Sequence, residues 1–72
     1  MALADARRTK GLSLRELALL SGVGKTHISD LERGKRNPSM ATARRLARAL
    51  RRPVVDLFPN FGARNVGKAP GF

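Results

Sequence analysis

From Ala2 to Phe58 apolar side chains recur at steps of three and four, with polar and basic residues between them. That is the period of helices buried along one face. Glycine and proline punctuate the pattern. Gly11, the pair Gly22 and Gly24, Gly34 with Asn37-Pro38, and Pro53 cut the chain into five short segments, and a helix is predicted in each. The first runs from Ala2 to Lys10 around Leu3 and Ala6, with Gly11 just beyond its end. The second opens with Ser13-Leu14-Arg15-Glu16, where Ser13 caps the helix and Glu16 reaches back to it. It passes through Leu17, Ala18 and Leu20 and stops before Gly22, spanning about 14–21. The third covers about 25–33, with Ile28 and Leu31 inward and Gly34 closing it. Ser39 caps the fourth, which reaches about Arg51; Pro53 starts a stub from Val54 to Phe58. No alternating run competes, so the predicted class is all-α.

On a wheel of about 100° per residue, Met40, Ala43, Leu46, Ala47 and Leu50 share one arc of the fourth helix and are expected in the core. Arg44, Arg45, Arg48, Arg51 and Arg52 share another, either a solvated face or part of an electrostatic footprint. The pattern then breaks. Residues 59–72 hold three Gly, two Pro and two Asn, with Phe61 and Phe72 isolated and Arg64 and Lys68 basic. This reads as a flexible basic tail behind a domain at 1–58.

Size and charge narrow the chemistry. Seventy-two residues make one small domain, with no room for a substrate cleft beside a cofactor domain. Without cysteine, and with His27 the lone histidine, neither disulfides nor a zinc site are available, and no cofactor is expected. Fifteen Lys and Arg against five Asp and Glu give a net charge of +10, which favours a polyanion as partner. A membrane is the weaker choice, because no apolar run approaches the ~20 residues of a spanning helix. Met1 leads straight into Ala2-Leu3-Ala4-Asp5 without a signal-peptide pattern, so a cytoplasmic setting is expected.

The second and third segments carry the functional signal. Two short helices that cross steeply through a tight turn need a small residue at the crossing, and Ala18 stands there. The turn needs a residue tolerant of positive φ, and Gly22 supplies it. Val23, Ile28 and Leu31 then fall at the spacing that sends them into a core. Gly22-Val23-Gly24-Lys25-Thr26 looks like the end of a phosphate-binding P-loop, but the first glycine of that motif would stand where Leu19 is, and no strand precedes it.

These stretches, with Gly11-Leu12-Ser13, Glu16-Leu17-Ala18, Ser21-Gly22-Val23, Ile28-Ser29, Leu31 to Ser39, Leu46 to Leu50, and Val54, Leu57 and Phe58, resemble the lambda-repressor and Cro-type (Xre-like) helix-turn-helix regulators over residues 2–58. The resemblance implies a five-helix DNA-binding domain whose third helix enters the major groove with its N-terminal residues toward base edges. The matching positions are Lys25, Thr26 and Ser29, with Asp30 one step on. Lys25 can donate to guanine, Thr26 offers a hydroxyl and a methyl, and Asp30 can accept from cytosine. Lys25 reads equally well as a phosphate contact, and Asp30 as the partner of a nearby arginine. Arg15, His27, Lys35, Arg36 and Asn37 are expected at phosphates. Arg7 and Glu32 match positions that pair across the first and third helices, and a part-buried salt bridge is expected between them. Two departures stand out. Leu14 replaces the glutamine that often opens the second helix, and Leu19 and Leu20 replace charged residues. The three leucines form an apolar patch or, for Leu20, pack partly under the first helix.

The expected function is sequence-specific binding of double-stranded DNA by a transcriptional regulator of a prokaryote or phage, acting on nucleoid DNA. A repressor dimer at a palindromic operator is the leading form, and no reaction is expected. Val54, Val55, Phe58 and Phe61 are the expected dimer surface. The alternative is an antitoxin-type DNA-binding protein whose tail or apolar patch holds a partner protein.

Overall fold

The computed structural model describes residues 2–59. Five helices follow one another: α1 (Ala2–Thr9), α2 (Leu14–Ser21), α3 (Lys25–Glu32), α4 (Met40–Leu50) and α5 (Val54–Leu57). The described residues contain no strand, and the fold is the all-α, lambda-repressor-like one. Most of the tail at 59–72, and Phe61 with it, lies outside the described residues.

Local chemistry sets the helix ends. Ser13 Oγ accepts from the Glu16 N–H at 3.0 Å, and a Glu16 carboxylate oxygen accepts from the Ser13 N–H at 2.7 Å, so α2 starts with both halves of a capping box. Ser39 Oγ accepts from the Thr42 N–H at 3.1 Å and starts α4. Helices α1, α3 and α4 close with the same backward reach of two N–H groups. Leu12 N–H reaches Arg7 O and Gly11 N–H reaches Arg8 O; Lys35 reaches Asp30 and Gly34 reaches Leu31; Arg52 reaches Ala47 and Arg51 reaches Arg48. The motif needs one left-handed residue. Gly11 and Gly34 serve at φ 70° and 77°, but α4 uses Arg51 at φ 55°. A side chain there costs about 1–2 kcal/mol, so packing must hold this end in place.

The core draws on every helix. Leu3, Leu17, Val23, Ile28, Leu31, Leu46, Leu50 and Leu57 form one buried cluster, with Leu17, Ile28, Leu46 and Leu50 wholly enclosed. Each such side chain contributes about 1.5–3 kcal/mol of burial. Helix α2 packs on α3 and α4, α1 lies against α3 and α5, and α4 meets α5.

Two expectations fail on the α2 and α4 faces. Met40 is 46% exposed rather than in the core. A helical side chain covers the turn N-terminal to its own Cα, and the first residue of α4 has no such turn beneath it. Leu20 is 62% exposed instead of packed under α1, and lies on the side of α2 toward Arg45, Arg48 and Ala49 of α4. No described helix is long and apolar enough to cross a membrane.

Candidate nucleic-acid interface

The turn that aims α3 is stitched by its own backbone and one buried hydroxyl. Gly22, at φ 76°, donates its N–H to Ala18 O at 2.9 Å. Ser21 Oγ donates to Leu17 O at 2.7 Å and accepts from the Val23 N–H at 3.2 Å. Val23 is thereby fixed with its side chain buried, and α3 starts two residues later. Periodicity and the turn glycine do not disclose this positioning role of Ser21. Its one signal was a small hydroxyl residue immediately before the turn glycine.

On α3, Ile28 and Leu31 face the core, while Lys25 and Thr26 stand exposed on the first turn. Ser29 and Asp30 lie one turn further along, half-buried, so Lys25 with Ser29 and Thr26 with Asp30 make two adjacent rows at helical spacing. Gly24 caps the helix without a side chain, leaving the first N–H groups of α3 free of a side-chain acceptor. Arg15 is exposed on the first turn of α2; Lys35, Arg36 and Asn37 are exposed in the loop after α3.

Asp30 has a partner. Arg36 Nε lies 3.6 Å from its carboxylate, in a pair whose side chains are 62% and 27% exposed. An ion pair this exposed is worth about 0–1 kcal/mol, so a phosphate can displace the carboxylate at little cost. His27 is half-buried. Its Nε2 is buried and has no hydrogen-bond partner, so a phosphate contact through that nitrogen is not open to it. Lying four residues before buried Leu31, His27 flanks the apolar stripe instead of clearing it.

Behind α3, Arg7 and Glu32 meet. Arg7 Nε donates to Glu32 Oε2 at 2.7 Å and Arg7 Nη2 to Oε1 at 3.2 Å, while Nη1 donates to the Leu12 carbonyl at 2.8 Å. Both side chains are nearly buried, at 12% and 11% exposure. The fork geometry satisfies guanidinium and carboxylate together. Hydrogen bonding to Glu32 raises the Arg7 pKa above its ordinary value, against the opposing effect of burial.

A scan against protein families matches residues 3–57 to the helix-turn-helix model. This chain belongs to the helix-turn-helix family. Over 54 residues it is 44% identical to an uncharacterized HTH-type transcriptional regulator, y4dJ, of Sinorhizobium fredii, covering 75% of this chain and 70% of that protein. It is 34% identical over 71 residues to the HTH-type transcriptional regulator DdrOP3 of Deinococcus deserti, covering 94% of this chain but 55% of the relative. Control protein C.SmaI of Serratia marcescens is 37% identical over 59 residues, 82% of this chain and 70% of that one. No solved structure gives a significant match. The helix-turn-helix family is one of DNA-binding transcriptional regulators, not enzymes, and this chain is such a DNA-binding regulator.

Proposed function

We propose that the protein is a repressor that binds a palindromic operator as a dimer, with α3 of each copy in the major groove. The observation that carries this reading is the mounting of α3: an enclosed apolar side and a bidentate ion pair behind, with exposed Lys25 and Thr26 in front. A helix held that firmly presents the same donors at every encounter, and sequence is read by such donors at base edges. In this reading Lys25, Thr26 and Ser29 meet bases, and Asp30 joins them once a phosphate has drawn Arg36 away. Arg15, Lys35, Arg36 and Asn37 fix the register on the backbone.

One module of this size reads only a few base pairs, too few for an address in a genome. A second copy about 34 Å away, one duplex turn along, supplies the rest. The proposed pairing surface is α5, where Val55 is 58% exposed and Val54 and Phe58 are half-buried. With +10 on each chain the copies repel in free solution, and DNA neutralises that repulsion. The protein is therefore expected to sediment as a monomer at low micromolar concentration yet bind a selected palindrome cooperatively, two chains to one duplex. Val55→Asp should remove the cooperativity and leave half-site binding intact. Equal affinity for half-site and palindrome, with one chain per duplex, overturns the dimer. Derepression of a reporter when the palindrome is scrambled tests the sign of regulation.

A further inference from the structure

Away from the residues proposed to meet DNA, the end of α2 and the second half of α4 leave an open groove of about 490 Å³ between them. Leu20, Ser21 and Ala49 line it together with Arg45, Arg48 and Arg51. Leu20, 62% exposed, is a large apolar side chain with water over it, and all three arginines are exposed. Arg45 is folded back toward the turn: a Cβ on Gly22 would sit 3.9 Å from its Nη1. Three arginines thus share this groove with Leu20 and Ala49.

We propose that this groove docks an acidic amphipathic segment of a partner protein, one apolar side chain lying on Leu20 and Ala49 while flanking carboxylates meet Arg45, Arg48 and Arg51. Charge selects this occupant. The described residues offer five acids, of which Glu32, Asp30 and Asp56 are in ion pairs with Arg7, Arg36 and Arg52, and Glu16 is used in the α2 capping box. None of the three ion pairs among the described residues involves Arg45, Arg48 or Arg51. A second copy of this chain brings the same arginines and only Asp5 uncommitted, so it repels more than it binds. Residues 60–72 contain no Asp or Glu and carry Arg64 and Lys68, which excludes them on the same ground. Duplex DNA offers its phosphates at the surface, whereas its apolar groups, the thymine methyls, lie inside the major groove that α3 is proposed to enter. Carboxylates with guanidinium forks give directional, bidentate pairing, and the leucine contact requires a folded, amphipathic ligand in place of a bare polyanion.

The test uses the full 72-residue chain and a fluorescein-labelled synthetic helical peptide of about fifteen residues, with leucines along one face and glutamates flanking them. Anisotropy titration at moderate salt should show saturable binding, at least about tenfold weaker for a peptide of the same charge whose leucines are serines. Leu20→Ser and the double substitution Arg45→Gln with Arg48→Gln should each weaken binding by a similar factor, with unchanged circular dichroism showing that the fold is kept. In heteronuclear NMR the peptide should shift Leu20, Ser21 and Ala49, and a short duplex added afterwards should shift α3 without displacing it. Equal binding of the serine peptide, indifference to Leu20→Ser, or displacement of the peptide by the duplex would each overturn the proposal. The first two mean plain polyanion attraction, and the third assigns the groove to DNA.

Discussion

Arg7 is held at three points, two on Glu32 and one on the Leu12 carbonyl, and so joins α1, its closing turn and the end of α3. Removing either partner leaves the other charge part-buried and unpaired, a loss of about 2–3 kcal/mol, below that of a fully buried pair. Glu32→Gln and Arg7→Met should each lower the melting temperature by roughly 10 °C or more. The double variant should lose less than the sum; small, additive losses would deny the pair any bracing role. Two backbone positions predict changes of opposite sign. At Gly22 a Cβ has room, its nearest neighbour being Arg45 Nη1 at 3.9 Å, so Gly22→Ala isolates the left-handed penalty of about 1–2 kcal/mol. Arg51 already bears that penalty at φ 55°. Arg51→Gly should therefore stabilise the domain, by less than about 1 kcal/mol once the greater freedom of glycine in the unfolded chain is set against the relief. Denaturant melts of both variants check the signs.

Helix α3 is the element on which the proposed specificity rests, and its residues should separate into two behaviours. Lys25→Ala and Thr26→Ala should cost about 1–3 kcal/mol on a selected operator and much less on random duplex. Arg36→Ala should weaken both nearly equally. Parallel titrations on the two DNAs decide it, and equal losses for Lys25→Ala would make Lys25 a backbone anchor. The helices themselves were legible because their ends are written in local chemistry: Ser13 with Glu16, Ser39, Gly11, Gly22 and Gly34 all act within five residues of where they stand. Met40 departs for a local reason, its place on the open first turn of α4, whereas Leu20 depends on neighbours distant in sequence. Periodicity puts Leu20 with the apolar residues of α2 but cannot say whether another helix lies over it, and none covers it enough to bury it. The enclosure of His27 Nε2 has the same origin, because local sequence does not report which flank of α3 is covered. Of the proposed DNA residues, the order along α3 was readable, whereas the capture of Asp30 by Arg36 across a turn was only one of two open alternatives.

For the whole molecule, charge and chain connectivity matter most. Arg15, Lys35 and Arg36 from each of two copies would neutralise about six phosphates, so log K should fall against log salt with a slope of roughly −5. A titration between low and moderate salt measures it, and a slope near zero would remove these side chains from the interface. Connectivity has a different outcome. Leu3 and Leu57 belong to the same buried cluster and α1 rests on α5, so the first and last described helices close the domain against each other. During translation, at about 5–20 residues per second, α1 leaves the ribosome several seconds before α5. An eight-residue helix is marginal alone in water. Until Leu57 arrives, α1 lacks one of its two supports and Arg7 is poorly placed to brace Glu32. A nascent chain therefore carries the full recognition sequence while still unable to hold it in register, and competence for DNA arrives late, with the shortest helix.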